Sequence, residues 1–93
     1  MLNGQTGVII RTKPIMIPAI TLDPRDNLAV ALRTLEAGEE LEIGGARYQT
    51  SEKIPAKQKF AMEALSVGQR ATMYGVTVGV ASTDIPQGGL IHT

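Results

Sequence analysis

Residues 73–93, MYGVTVGVASTDIPQGGLIHT, decide the fold class of this chain. Two short runs typical of β structure, residues 71–74 and 77–81, are broken at Gly75 and Gly79 and lead into a turn over residues 84–89. Alternating residue types with frequent glycine are typical of strands joined by tight turns. This stretch therefore predicts β structure.

A second β signal lies upstream, around the pair Gly44-Gly45. The pair separates two alternating runs, residues 41–43 and 46–50, and a Gly-Gly pair in this position favours a type I′ or II′ turn. We therefore expect a β-hairpin over residues 41–50.

A short pattern recurs four times: an aliphatic residue, two further residues, and then glycine or, in one copy, lysine. The copies begin at Leu35, Ile54, Leu65 and Ile85, and Lys57 takes the glycine position in the second. We interpret each copy as a turn whose aliphatic residue enters the core, with glycine supplying a positive φ before the next strand. Chance recurrence in a glycine-containing chain is the alternative.

Several segments leave their structure open. Residues 26–38 space their apolar positions as a helix would, with Asp26 as a cap and Gly38 as an end, but a strand over residues 28–32 is the alternative. Residues 60–65 fit a strand or one helical turn. Near the N-terminus, residues 8–10 are a strand candidate, and the prolines around residues 15–17 favour an edge strand or an extended connection.

Length and composition narrow the classes of function. Ninety-three residues make one domain, and 9 basic residues balance 9 acidic ones, so we expect no nucleic-acid partner and no membrane partner. The chain has no cysteine, which removes disulfides and thiolate sites and fits a reducing compartment. No apolar run or leader pattern indicates a membrane span or a signal peptide, so a cytoplasmic location is expected.

Few residues carry readable chemistry. The sequence contains no phosphate loop, nucleophile elbow or cluster with metal-ligand spacing. His92, the one histidine, could act as a base, a metal ligand or a hydrogen-bond donor, although a lone histidine is more often structural. Asp26 and Asn27 are more often turn and capping residues than ligands.

Three segments, in order, resemble the small N-terminal SAF domain of altronate dehydratase (altronate hydrolase), galactarate dehydratase and the small subunit of sulfolactate sulfo-lyase. Residues 26–32, DNLAVAL, are similar to that family's D-N-V-A-V-A-L, and residues 54–61, IPAKQKFA, to its I-P-x-G-H-K-x-A. Residues 73–93 follow its K-Y-G-x-x-I-G-x-A-x-x-D-I-x-x-G-x-x-V-H-T-H-N. The resemblance covers residues 22–93 and favours a strand over residues 28–32.

The resemblance implies an all-β SAF-type domain with a β-clip fold and short helical turns, over residues 22–93, preceded by an N-terminal extension with an edge strand, residues 1–21. In the family this module accompanies a larger catalytic domain or subunit that removes water from sugar acids with a divalent metal such as iron or manganese. We therefore expect an accessory domain or small subunit that shapes the substrate site and needs no cofactor of its own. A non-catalytic SAF-type binding or assembly module is the alternative, and a homo-oligomer stays open.

The resemblance also suggests which residues contact the substrate. His92 and Lys59 are the first candidates for an anionic sugar acid, Asp26 and Asn27 are lesser ones, and His92 is the single candidate metal ligand. The family's Gly-His-Lys is here Lys57-Gln58-Lys59, and glutamine neither titrates near neutral pH nor binds metal well. The chain ends at His92-Thr93 inside the last motif, where we expect a domain boundary; loss of the site is the other reading.

Overall fold

The computed structural model describes residues 17–92, which form seven short β-strands and no helix. The side chains that alternate between buried and exposed along β3 and β6 account for the period-2 pattern of the sequence. The strands are β1 (Ala19–Ile20), β2 (Leu28–Ala31), β3 (Glu40–Ile43), β4 (Ala46–Gln49), β5 (Lys59–Ala61), β6 (Arg70–Met73) and β7 (Val76–Val80).

The strands form one three-stranded antiparallel sheet, in the order β1-β2-β5, and two hairpins, β3-β4 and β6-β7. In the central strand β2, Leu28, Ala29 and Ala31 are all buried, so both of its faces are covered. A strand buried on both faces does not alternate, which explains why its apolar spacing imitated a helix. The strand reading of residues 28–32 is confirmed.

Each copy of the four-residue pattern is a turn of one kind. The turn begins at the residue that follows the aliphatic one. The carbonyl of this residue accepts a hydrogen bond from the N–H three positions later: Glu39 N–H donates to Glu36 C=O at 3.2 Å, and Gln58 N–H donates to Pro55 C=O at 3.1 Å. The third residue of the turn, which is the fourth of the pattern, has a positive φ, as type II turns require. Those residues are Gly38 (φ 75°), Lys57 (73°), Gly68 (87°) and Gly88 (79°).

The turns are docked in equivalent ways, which reveals a structural repeat of about 30 residues. Gly38 N–H donates to Thr50 C=O, and Gly68 N–H donates to Ala81 C=O, so each of these turns closes the base of the hairpin that follows it. Lys57 and Gly88 dock in the same way on the ends of β2 and β5. Residues 28–58 and 59–89 therefore have the same order of strands and turns.

The core is aliphatic, as the composition requires, with Phe60 as its one fully buried aromatic side chain. Leu35 pairs with Ile54, and Leu65 pairs with Ile85, through isolated β-bridges that place the aliphatic residues of the four turns inside. Ile85 is the least buried of the four. The interpretation of the pattern as core-anchored turns is confirmed.

The hairpin expected around Gly44-Gly45 is also confirmed, and positive φ values of 59° and 85° at the two glycines give its type I′ turn. Residues 60–65 contain the end of β5 and no helical turn, because Leu65 is held by its bridge to Ile85. The strand candidates at residues 8–10 and 15–16 lie outside the described residues. β1, which falls in the predicted N-terminal extension, is the edge strand beside β2.

Candidate functional site

A pocket with a volume of about 560 Å³ is lined by residues of β5, β7 and the C-terminal segment, with further residues from β2 and β6. Lys59 of β5 and His92 of the C-terminal segment belong to this lining, as do Val78 and Val80 of β7. We call this cavity the β5–β7 pocket. It brings together the two residues that the sequence ranked first as substrate contacts.

Backbone pairing places both side chains. Lys59 begins β5 and is opposite Val30 of β2, so its position is set by the central sheet. Its carbonyl accepts a hydrogen bond from Ile91 N–H at 2.9 Å, and Phe60 forms a β-bridge with Leu90. The C-terminal segment therefore runs beside β5 and carries the exposed His92 to the pocket.

The charge of the β5–β7 pocket has one sign. Lys59 and His92 are the ionisable side chains among its lining residues, and Ser82 and Thr83 add two hydroxyl groups. Most other lining side chains are aliphatic, including Leu28, Leu65 and Ile85. A lysine beside apolar surface, with no carboxylate in the lining, favours an anionic group at this site.

Asp26 lies elsewhere and is engaged with the backbone. Its carboxylate accepts hydrogen bonds from Gly75 N–H at 2.9 Å, Tyr74 N–H at 3.1 Å and Leu22 N–H at 3.2 Å. It borders a different cavity, of about 480 Å³, beside Tyr48. In this arrangement Asp26 ties the segment before β2 to the turn of the β6-β7 hairpin.

Asn27 fastens the same segment one step further along. Its side-chain amide donates to Arg70 C=O at 2.9 Å and accepts from Thr72 N–H at 2.8 Å, so it pairs with β6 as a neighbouring strand would. The structure thus divides the four candidates: Lys59 and His92 share the β5–β7 pocket, whereas Asp26 binds backbone amides of Leu22 and of the β6-β7 turn, and Asn27 binds the backbone of β6.

Lys57 and Gln58, which occupy the positions of the family's glycine and histidine, are exposed and do not line the β5–β7 pocket. Gln58 is the last residue of its type II turn, and its carbonyl accepts a hydrogen bond from Ala31 N–H at 2.9 Å. The glutamine is therefore held at a defined place next to Lys59, outside the cavity.

Residues 17–92 contain no group of three or more His, Cys, Asp or Glu that could hold a metal ion. His92 would be one ligand without companions in this part of the chain, so these residues do not by themselves fit the divalent metal that the resemblance implies. No helix in the same range is long and apolar enough to cross a membrane.

The perturbed pKa values belong to exposed ion pairs. Hydrogen bonds from Arg25 lower the pKa of Asp23 to about 2, and a hydrogen bond from Arg33 lowers the pKa of Glu39 below its ordinary value. Asp23 and Arg25 lie in the segment between Leu22 and Asp26, whose two ends are joined by a hydrogen bond. Glu39 is the last residue of the first type II turn. None of these four residues lines the β5–β7 pocket.

Part of the pocket lining comes from residues that the sequence does not single out as site candidates: Val78, Val80, Ser82 and Thr83. A usable signal was present, because valines at alternate positions 76, 78 and 80 leave β7 without a charged residue. Strand alternation normally places polar residues on one face.

Comparisons with known proteins identify the family of this chain. The family described as "Altronate/galactarate dehydratase SAF domain" matches residues 17–93. The chain belongs to this family. It is 32% identical over 73 residues to altronate dehydratase of Bacillus subtilis (strain 168) and 30% identical over 73 residues to altronate dehydratase of Escherichia coli (strain K12).

Both alignments cover 78% of this chain but 15% of the relative. The SAF domain therefore spans a small part of the length of the dehydratases that it matches.

Proposed function

We propose that this chain is the accessory SAF domain or small subunit of a sugar-acid dehydratase of the altronate or galactarate type. The observation that carries the proposal is that family membership coincides with a cationic pocket: Lys59 and His92, carried over from two separate motifs, line the same cavity. We also assign the domain to the β-clip folds and the enzyme to the cytoplasm, on the strength of the resemblance.

The reaction proposed for the complete enzyme is loss of water from a sugar acid to give a 2-keto-3-deoxy acid. A base removes the proton α to the carboxylate, the β-hydroxyl leaves with a proton as water, and the resulting enol becomes the ketone. Lys59 and His92 would bind and orient the substrate carboxylate, because a charge-assisted hydrogen bond to a carboxylate is stronger than a neutral one.

The larger part of the enzyme would supply the base and hold the divalent ion, iron or manganese. The contribution of this chain is then positional: it presents a cation and an imidazole from a rigid β framework at the border of the substrate site.

The test is an assay of the complete enzyme, this chain together with its larger part, on altronate and on other aldonates and aldarates with added Fe²⁺ or Mn²⁺. Formation of a 2-keto-3-deoxy acid is expected, and His92→Ala should lower kcat/KM by about 10-fold or more. Circular dichroism of the variant should match the original, because His92 is exposed. Absence of turnover with every sugar acid would overturn the proposal.

A further inference from the structure

The strand β7 and the turn before it carry an unusual apolar surface. Four large side chains there are more than half exposed, and we call this surface the β7 edge: Tyr74 (67%), Val76 (58%), Val78 (54%) and Val80 (60%). The β-bulge of this hairpin pairs Val76 with Met73 and Val80 with Arg70, so these two valines lie on opposite sides of the hairpin. Single exposed apolar residues are ordinary, but a strand that exposes apolar side chains on both sides marks an interaction surface.

The first repeat provides an internal comparison. Its hairpin has the same place in the fold, and the strand registers make Ala46 equivalent to Val76, Arg47 to Thr77 and Gln49 to Val80. Val78 is the extra residue of the β7 bulge and has no counterpart in β4. Because the fold tolerates alanine and glutamine where β7 has Val76 and Val80, these two valines are not needed to build a hairpin.

The two edges of the β6-β7 hairpin also differ. The outer edge of β6 is occupied by the side chain of Asn27, which bonds Arg70 C=O and Thr72 N–H. The outer edge of β7 has no strand partner among residues 17–92. An unpaired, apolar edge strand is an aggregation hazard that natural proteins avoid or cover.

Tyr74 adds a local cost at the same place. It has a φ of 57°, in the left-handed region, which glycine adopts readily and a residue with a Cβ adopts only with strain. The equivalent position in the first hairpin is Gly44. Large exposed aromatic residues are frequent anchors of protein interfaces, which offers a reason for a tyrosine at this turn.

We propose that the β7 edge is the surface on which the larger part of the dehydratase packs, and that this contact also covers the β5–β7 pocket. Val78 and Val80 belong both to the β7 edge and to the pocket lining that includes Lys59 and His92, so a body that packs on this strand also borders the pocket. The inference rests on the proposed function, which supplies the occupant: the SAF domain covers 15% of the matched dehydratases, so most of such an enzyme lies outside it.

Enclosure of this kind also explains the composition of the pocket. A polyhydroxylated acid does not by itself match a cavity lined mostly by aliphatic side chains, whereas an interface pocket commonly combines such a lining with a few charged groups. Apolar side chains of the larger part would cover the valines, and Lys59 and His92 would remain for the carboxylate at the domain boundary.

Thiol accessibility tests the inference without reference to catalysis. This chain has no cysteine, so Val76→Cys and Val67→Cys introduce single thiols at positions that are 58% and 63% exposed in this domain. Val67 lies in the third type II turn, away from β7, and Val76 does not line the pocket. Cysteine is close to valine in size, so neither change should disturb the hairpin.

Each variant is prepared as the complete enzyme and treated with a maleimide, and labelling of the peptide that carries the new thiol is followed by mass spectrometry. We expect the thiol at position 76 to react at least 10-fold more slowly than the thiol at position 67, with the difference abolished in denaturant. Equal native rates at the two positions, whether fast or slow, would overturn the proposal. The result is independent of whether the enzyme dehydrates a sugar acid.

Discussion

Lys57 and Gly88 occupy the same position in two equivalent turns, with φ values of 73° and 79°. Lysine carries a Cβ in the left-handed region at a cost of about 1–2 kcal/mol, which exceeds the extra chain entropy of glycine. We therefore expect Lys57→Gly to raise the free energy of unfolding by about 0.5–1 kcal/mol. Urea denaturation measures the change, and a destabilised variant would contradict it.

Gly88 is more tightly constrained than Lys57. A Cβ added to Gly88 would lie 2.1 Å from the carbonyl oxygen of Gln49 and 2.7 Å from Cα of Thr50, both of which are backbone atoms. Overpacking of this kind adds to the left-handed penalty, so Gly88→Ala should lower the free energy of unfolding by about 3 kcal/mol. Gly68→Ala is the matched control. The φ of Gly68 is 87°, but a Cβ added there would meet open space, so only the cost of the left-handed conformation should appear in the free energy of unfolding.

Asp26 has a stability role that a single substitution can measure. Asp26→Ala removes the acceptor for the amides of Leu22, Tyr74 and Gly75, and we expect a loss of about 1–3 kcal/mol of unfolding free energy. Asp84→Ala is the control, because the Asp84 carboxylate accepts one amide, that of Val67, in an exposed contact. Thermal denaturation should rank Asp26→Ala well below Asp84→Ala, and equal losses would show that the three contacts add nothing.

Two ion-paired segments make the stability sensitive to acid. Because Arg25 lowers the pKa of Asp23 to about 2 from 3.8, the folded state favours the ionised carboxylate. This contribution is fully present above pH 3.8 and is lost as the pH falls towards 2. Glu39 contributes with the same sign, because Arg33 lowers its pKa.

The unfolding midpoint in urea should therefore fall between pH 5 and pH 2.5, and Arg25→Gln should reduce the size of that fall. Both ion pairs lie at the protein surface and their arginines are exposed, so the effect of each pair should be small and should weaken with added salt. An unchanged pH profile in Arg25→Gln would mean that the Asp23 contact does not persist in solution.

Elements differed in how far the sequence could predict them. The turns could be predicted because glycine at a positive φ and a buried aliphatic residue leave a local pattern, and the same pattern located the exceptional Lys57. Strand β2 was ambiguous because both of its faces are buried, so it loses the alternation that identifies a strand. The repeat of about 30 residues was visible only in part, because equivalent positions share turn chemistry rather than identity.

Only the identities of the candidate site residues could be predicted from the sequence, because these residues lie in short motifs. Lys59 and His92 are 33 positions apart in the sequence, and nothing local indicates that they share a pocket. Their proximity depends on the pairing of the C-terminal segment with β5, a long-range contact. The roles of Asp26 and Asn27 at β6 depend on equally distant backbone groups, which sequence patterns do not encode.

At the scale of the whole molecule, the repeat separates two tasks. Both halves use their aliphatic turns to build the core, but only the second half has the valine strand and contributes β7 to the lining of the β5–β7 pocket. The first half carries Glu40, Glu42 and Arg47 on its hairpin, as a solvated surface requires. The proposed contact with the larger part of the enzyme therefore engages one side of an internally repeated scaffold.

This division allows substrate binding to be tested separately from folding. Lys59 takes part in the sheet through its backbone, whereas its ammonium group serves the pocket, so Lys59→Met retains the strand and removes the charge. In the complete enzyme we expect the KM for a sugar acid to rise by about 10-fold or more, since a hydrogen bond from a charged group contributes about 1.5–3 kcal/mol. The unfolding midpoint should stay within the range of ordinary surface substitutions.

Lys53→Met is the matched control, because Lys53 is exposed and does not line the pocket. In steady-state kinetics we expect a higher KM for Lys59→Met and an unchanged KM for Lys53→Met. If the two variants have equal and unchanged KM values, Lys59 does not contact the substrate. The larger part of the enzyme would then have to bind the carboxylate. A rise in both would instead indicate general electrostatic attraction of the anion, which added salt would abolish.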